Sequence, residues 1–405
     1  MKNKICNEQS LTMNFQKKMH ILIVELDYHK DILSFFLELI DLDLFNVSCI
    51  VNKNIYPYLS DDLKSKLNFY IYLNKYSLKK FLNRTKCDLT IFNTCASKFY
   101  FWSKYCPSNS VMRIHNINAY FIPLKSIRIR FNFFEIRKAI TYILFHQTFC
   151  LSHLFLKKLL TKINLYLFMS DANKKYFLSI QPDHYLKAGP VLPIAAYNSK
   201  YFKELDIQNI SIVIPGYVES KRKDFYAIWE CCKSLSNLKI KTELVLAGKT
   251  PTHSLKFIKQ IKSLENSNFR IIYFQKYLSF EEFDTICKNS DIMFFPLKKH
   301  TRFKIFREVY GVSKISGSLK DLIKFGKYSV LPDWFNLDNE LKHIIFTYKN
   351  NDTIHQVLEN VINEYVNRFN IYSEKVKKHA EYYSFEKMKE IQENILYSLI
   401  NKCQD

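Results

Sequence analysis

The sequence predicts two doubly wound α/β domains facing each other across a cleft, on the strength of three observations. At 405 residues the chain is long enough for two domains of ordinary size. Short apolar runs of strand length alternate with helix-period segments, the pattern of a parallel sheet covered by helices. The alternation also restarts after residues 181–208, where Pro182, Gly189, Pro190 and Pro193 cluster as a linker would. The expected organisation is therefore a polar extension at 1–18, domains at 19–205 and 206–382, and a closing segment at 383–405.

In the first half, His-Ile-Leu-Ile-Val-Glu at 20–25 reads as a buried strand, followed by a helix over 31–40 that starts at Asp31. Further strands are expected at 46–51, 69–73, 88–93, 111–115 and 165–169, the last followed by Asp171 as the cap of the next helix. The second half opens with a strand at 210–214 that ends in Pro215-Gly216, then a helix near 224–236. A strand at 242–247 runs into Gly248, a helix follows near 255–264, and another strand lies at 270–274. The helix over 279–289 carries Ser279 as its cap and Glu281 and Glu282 in its first turn. A strand at 291–295 stops at Pro296, a short one is expected at 328–331, and helices close the chain. Ligands of doubly wound sheets bind outside the carboxyl ends of the strands, which here is the cleft.

Composition narrows the class. With 48% hydrophobic residues and only 10 Pro and 6 Gly, the chain has the makings of a packed core rather than a disordered segment. Its ten Cys show no C-x-x-C spacing, which excludes a zinc ribbon and a thioredoxin-like motif. Residues 1–18 are polar and basic without an apolar core, so no secretory leader is expected and the cytoplasm is the default compartment. The charge is lopsided. Of the net +22, residues 1–205 hold 29 basic against 14 acidic side chains, and Glu135 is the single acid between Asp88 and Asp171 against eleven Lys or Arg. Such a field attracts nucleic acid, anionic lipid or nucleotide substrates, unless it is simply a solvated surface. Residues 120–168 mix basic and aromatic side chains, and 139–156 are uncharged but too polar to span a bilayer. A helix lying on an anionic leaflet and an ordinary core helix are the two readings of that stretch.

The most informative segment is 308–321, Glu-Val-Tyr-Gly-Val-Ser-Lys-Ile-Ser-Gly-Ser-Leu-Lys-Asp. Average usage of about 7% would give this chain roughly 28 Gly. It has six, and two of them, Gly311 and Gly317, stand here, with Gly326 close behind. A chain so poor in Gly keeps it where the backbone needs positive φ or must approach a ligand. A carboxylate, a lysine, two serines and a helix start around these glycines suit a sugar and phosphate site.

On these residues the stretch from about 210 to 399 resembles the GT-B glycosyltransferases, in particular the retaining group 1, family 4-like class. Four pieces carry the likeness in order: Pro215-Gly216 with Lys221-Arg222-Lys223-Asp224; Leu246-Ala247-Gly248; the strand from Asn289 to Pro296; and Glu308, Tyr310, Gly311, Lys314, Gly317 and Asp321 with Phe325-Gly326-Lys327 after them. Tyr383-Ser384-Phe385 before a last helix is similar to the family's tail, which crosses back onto the first domain. The resemblance implies two Rossmann-like domains and transfer of a sugar from a nucleotide-sugar donor, a UDP-sugar by analogy, to a glycan or lipid-linked acceptor. It implies surface polysaccharide or lipopolysaccharide assembly on the inner face of the cell membrane, retention of configuration, and neither metal nor cofactor beyond the donor. Donor contacts are implied for Gly216, Lys221, Arg222, Lys223, Gly248, Tyr310, Gly311, Lys314, Ser316, Gly317 and Ser318, and catalytic roles for His115 and Glu308.

The chemistry supports this independently. A departing diphosphate needs positive charge and backbone N–H groups, which a Gly loop, a helix start and Lys or Arg supply. Lys298, Lys299, Arg302 and Lys304 lie just upstream of the segment and are placed to screen the same charge, while Glu308 is expected to accept hydrogen bonds from sugar or ribose hydroxyls. His115-Asn116 resembles the His-Asn or His-Asp pair that faces the sugar; a hydrogen-bonded structural His is the alternative, and His29 is a second candidate at the cleft. Three departures stand out. Ser316 replaces the second Glu of the family's E-x7-E, Tyr217 replaces an Arg after the first Gly, and Val24-Glu-Leu-Asp-Tyr-His29 replaces a Gly-rich acceptor loop. Two other classes remain open: a nucleotide-sugar 2-epimerase of the same fold, whose Gly-Gly and paired-Glu signature is missing, and a non-catalytic basic binding or partner protein. Nucleic acid is not the expected partner, since no zinc-finger or aromatic RNP-like motif is present.

Overall fold

The computed structural model describes residues 18–127, 136–137, 140–141, 151–204, 206 and 209–404. Residues 1–17 and most of 128–150, which belong to the extension and to the helix weighed for a membrane, lie outside the described residues.

Alternating apolar side chains build a first sheet from β1 (Met19–Glu25), β2 (Phe45–Asn52), β3 (Asn68–Tyr72), β4 (Leu89–Thr94), β5 (Ser110–Arg113), β6 (Leu165–Phe168) and β7 (Ala188–Val191). Its order is β3-β2-β1-β4-β5-β6-β7, and every pairing is parallel. Because successive strand residues face opposite ways, Ile21 and Ile23 point into one layer and Leu22 and Val24 into the other. The first layer packs the helix Lys30–Glu38 and the terminal helix Phe385–Gln404; the second packs Lys75–Arg84, Phe99–Tyr105 and Ser152–Lys162.

The second sheet holds β8 (Asn209–Pro215), β9 (Lys241–Lys249), β10 (Phe269–Phe274) and β11 (Ile292–Phe294), then, after a hairpin of β12 (His300–Phe303) and β13 (Phe306–Val309), β14 (Ser329–Pro332) and β15 (Ile345–Tyr348). Its order, β10-β9-β8-β11-β14-β15, is again fully parallel. Each sheet reverses its winding beside its first strand, between β1 and β4 and between β8 and β11. Those two switch points set the site.

Two elements bind the halves together. The β12–β13 hairpin leaves the second domain and buries Phe306 in the core of the first, where Phe306 and Ile127 form an antiparallel bridge. The terminal helix lays Leu396, Leu399 and Ile400 into the other layer of the first domain, and Gln392 donates to the Phe36 carbonyl at 2.8 Å.

Several elements differ from the sequence reading. Ala188–Val191 lies inside the expected linker yet pairs as the edge strand of the first sheet, with Gly189 allowing the close approach: a Cβ there would sit 2.9 Å from the Tyr166 carbonyl oxygen. β15 and the hairpin fall where only helices or loop were expected. The helix Asp171–Ile180 is capped by Ser170, whose side chain accepts from the Asn173 N–H, and Asp171 is its first residue. Ser279 caps Phe280–Asn289 as expected, in a reciprocal box with Glu282.

Candidate active site

The first-domain wall is built from the ends of β1, β4 and β5. In place of a Gly-rich loop, the chain after β1 is held by carboxylates. Buried Glu25 accepts from the N–H groups of Asp27 at 3.0 Å and Tyr28 at 3.3 Å, and Asp27 accepts from the Ala96 N–H and the Ser97 hydroxyl in the loop after β4. Asn93 links Glu25 to the buried Arg113: its Nδ2 donates to Glu25 at 2.6 Å and its Oδ1 accepts from Arg113 Nη1 at 2.8 Å. Burial pushes the Glu25 carboxyl up and the Arg113 guanidinium down to about 9.

His115 sits above this chain. Its Nε2 lies 2.7 Å from the Asn93 carbonyl oxygen, which can only accept, so Nε2 carries the hydrogen and Nδ1 keeps a lone pair. Nδ1 is buried with no hydrogen-bond partner among the described residues. The His29 ring lies flat on that of His115, with centroids 3.9 Å apart and planes 8° from parallel. His115 is therefore covered: the ring expected to face a sugar is the inner member of a stack, and His29 is the outer one. Both are neutral. Burial and then the charges of Lys314 and Arg113 push His29 down to about 4, and burial, then His29, hold His115 well below its usual range.

A depressed histidine pKa makes folding favour the neutral ring. Its contribution to stability is complete above pH 6.5 and is lost as pH falls toward 4. At pH 5 the loss attributable to His29 is expected to be on the order of 1–2 kcal/mol. Thermal melts of His29→Gln across pH 4.5–7.5 should show a flatter acid limb than the parent; parallel limbs would refute the neutral stack.

The second-domain wall starts at Gly216, whose φ of +86° turns the chain sharply and whose missing Cβ faces open space. Behind it lies Gly248, where a Cβ would fall 2.3 Å from the Gly216 carbonyl oxygen. The basic run after Gly216 divides. Lys221 is exposed and sits 3.6 Å from Glu219, and Arg222 is exposed with its guanidinium 5.9 Å from the Tyr217 ring. Lys223, expected at phosphate, is instead buried: its ammonium donates to the Pro215 carbonyl at 2.7 Å, and burial pushes it down to about 8. It braces the loop from beneath and faces Asp321, which burial raises to about 6.

Helix Gly317–Phe325 begins beside this loop. Ser316 caps it by accepting from the Ser318 N–H at 3.2 Å, and Gly317 presents no side chain to the space ahead. Gly311, at φ +70°, turns the preceding loop and packs under Phe335, and its N–H donates to the Lys314 carbonyl at 2.9 Å. Tyr310 bridges to Lys314, whose ammonium lies 5.9 Å from both the Tyr310 and Phe303 rings. Burial depresses Lys314, Glu308 opposes that shift, and Arg222 adds to it. Its charge in turn acts on His29 of the first-domain wall, so Lys314 couples the two walls.

Glu308 departs from its expected place. It is fully buried and accepts from the N–H groups of Asn118 at 3.4 Å and Ala119 at 3.0 Å, the start of the first-domain helix Ile117–Phe121. Burial raises it to about 7. It closes the two domains together where open contact with a sugar was expected, because the hairpin carries it across. Arg302 and Lys304 ride on that hairpin too, and Lys304 donates to the Ala96 carbonyl at 3.2 Å. Lys298 and Lys299 are exposed at its base. Among the described residues, no three His, Cys, Asp or Glu side chains gather as a metal-holding group.

Neither a protein-family model nor a curated protein sequence matches the chain. Solved structures do. A glycosyltransferase from Rickettsia africae aligns over 94% of this chain and 99% of its own, with a TM-score of 0.58 at 12% identity. Anabaena HepE, solved with UDP and glucose, aligns over 94% and 100%, with a TM-score of 0.56 at 11% identity. The lipopolysaccharide outer core galactosyltransferase WaaB aligns over 94% and 99%, with a TM-score of 0.57 at 8% identity. The chain has the GT-B fold.

In this GT-B molecule, two parallel sheets meet end to end around the cleft, and His29, Lys314 and Arg222 come from three separate segments to reach it. Sequence reasoning missed Glu25, Asn93 and Arg113, the buried chain that fixes His115. Their signal was legible in principle: an Arg and an Asn at the carboxyl ends of otherwise apolar strands.

Proposed function

We propose that this protein is a glycosyltransferase that moves a sugar from a nucleotide-sugar donor to a glycan or lipid-linked acceptor. The observation that carries the reading is the convergence of the open Gly216 turn, the start of helix Gly317–Phe325 and the Lys314 ammonium on one wall of the cleft. Positive φ at Gly216 frees backbone for phosphate, the helix start offers N–H groups, and Lys314 with Arg222 meets the charge of a leaving diphosphate. In the step, the bond from the anomeric carbon to the diphosphate oxygen breaks and the acceptor hydroxyl oxygen bonds to that carbon. The hydroxyl proton passes to the departing phosphate oxygen, which balances the transfer. Net retention and independence of metal belong to the same proposal: the charge is met by the chain's own cations. HepE holds UDP and glucose and WaaB is a lipopolysaccharide galactosyltransferase, which supports a UDP-sugar donor and surface-glycan assembly as the reading for this chain.

The test is a thermal-shift screen against UDP, GDP, dTDP and CMP sugars, followed by donor hydrolysis and transfer assays. Ligand at 100 times its Kd stabilises by about 2.7 kcal/mol, so screening at millimolar donor detects weak binders. One donor class should raise Tm and be turned over. Absence of both across the whole panel would sink the assignment, and epimerised donor without acceptor would redirect it to a 2-epimerase.

A further inference from the structure

A groove of about 690 Å³ opens between the domains beside the linker, a volume ordinary for a small-ligand pocket. One wall is the helix Lys30–Glu38 of the first domain; the other is made by helices Phe280–Asn289 and Gly317–Phe325 of the second. Residues 195–198 of the linker and Phe385 of the terminal helix also line it. None of Gly216, Arg222, Lys314, His29 and His115 does, so this is a separate space from the donor wall. Helix Gly317–Phe325 divides the two. Its Asp321 faces Lys223 beneath the Gly216 loop, whereas its Lys320 and Lys324 line the groove.

Two features of the lining point to one class of ligand. Large rings stand in the open: Tyr58 is 58% exposed, Phe280 55% and Phe385 38%. Tyr58 belongs to the first domain and Phe280 to the second, and the Lys30 ammonium lies 3.1 Å from one ring centroid and 5.3 Å from the other. Charge is balanced as well. Lys30, Lys320 and Lys324 share the groove with Asp31, Glu38 and Glu281, three against three, in a chain of net +22. Lys324 is already bonded to Asp284 at 2.6 and 2.7 Å, and Glu38 accepts from the Ser34 hydroxyl at 3.3 Å. A phosphate or a polyanion finds no surplus of cations here. A lipid tail or an apolar helix would cover carboxylates and ammonium groups without offering them partners. A neutral sugar suits both features. Its C–H faces lie on aromatic planes, and its hydroxyl edges donate to carboxylates and accept from lysines.

We propose that this groove is a second carbohydrate site, which binds an uncharged oligosaccharide. From Asp31 to Glu38 the wall helix rises about 10 Å, room for roughly two or three sugar rings in line. The walls belong to different domains, so an occupant touches both and favours their present spacing over a wider one. The inference stands on the lining alone and holds whether or not the donor reading does.

The test uses the full-length protein with no nucleotide sugar present. Maltotetraose, cellotetraose, laminaritetraose and chitotetraose are titrated by calorimetry to about 10 mM, which detects a Kd in the millimolar range. At least one should bind. Phe280→Ala and Tyr58→Ala should each weaken that binding about three- to tenfold, the usual effect of losing one ring contact. Ser34→Trp, which sets an indole into the groove, should abolish it. Tyr76→Ala removes a ring that is 80% exposed on a helix outside the groove, and should leave binding unchanged. Matched melting curves exclude unfolding. Failure of all four tetrasaccharides to bind, parental affinity in Ser34→Trp, equal loss in Tyr76→Ala, or tighter binding of a sulfated heparin tetrasaccharide than of any neutral one would each overturn the proposal.

Discussion

Lys314→Ala is expected to lower turnover of the nucleotide-sugar donor by about 10²–10³-fold, the usual loss on removing one preorganised group that meets transition-state charge. Its single side-chain hydrogen bond among the described residues is a long one, 3.5 Å to the Arg302 carbonyl. The charge grows on the diphosphate as the glycosidic bond breaks, so the loss should fall mainly on kcat with KM changing less. Lys314→Arg separates charge from fit. Burial pulls the Lys314 ammonium below its ordinary range, so activity should decline on the alkaline side earlier than for an exposed lysine. In Lys314→Arg that limb should disappear, because guanidinium stays protonated. A Lys314→Ala enzyme with unchanged kcat would remove this residue from the chemistry.

Gly248→Ala is the second large expectation. One methyl there meets Gly216 backbone at 2.3 Å from oxygen and 2.4 Å from carbon, and no rotamer change relieves contact with backbone. The Gly216 turn must move, together with the Gly216 N–H bond to the Ala247 carbonyl at 2.9 Å and the Val218 N–H bond to Lys249 at 3.1 Å. Overpacking of this kind costs about 3 kcal/mol, and the displaced turn should also abolish donor stabilisation in the thermal screen. Gly317→Ala is the control, since its Cβ would enter open space at the first residue of a helix. Its Tm should stay close to the parent. Equal destabilisation by the two changes would refute the close approach.

The fold was largely legible because both sheets are parallel and buried on two faces, which writes each strand as an unbroken apolar run such as Ile21 to Val24 or Ile212 to Ile214. The hairpin was not legible. Its partner surface lies far away in sequence, and His300-Thr-Arg-Phe303 resembles a polar loop until Phe306 finds the first-domain core. β7 was hidden by Gly189 and Pro190, residues that mark a linker in general and here mark an edge strand in close approach. In the site, the glycines and Ser316 could be located from sequence, because backbone geometry and caps are local. The allotment of the basic run could not. Nothing in Lys221-Arg222-Lys223 tells which side chain turns inward to hold Pro215, and nothing near Glu308 announces that its acceptors are spent on Asn118 and Ala119.

The crossing of the hairpin in one direction and the terminal helix in the other means that the polypeptide's halves are not separable parts. A protease that nicks the chain between residues 202 and 208 should leave two pieces that still migrate as one particle, held by Phe306 on one side and Leu396, Leu399 and Ile400 on the other. Either half produced alone would expose the socket that its counterpart fills. Any hinge-like breathing of the cleft must therefore bend these two straps rather than swing freely about the linker.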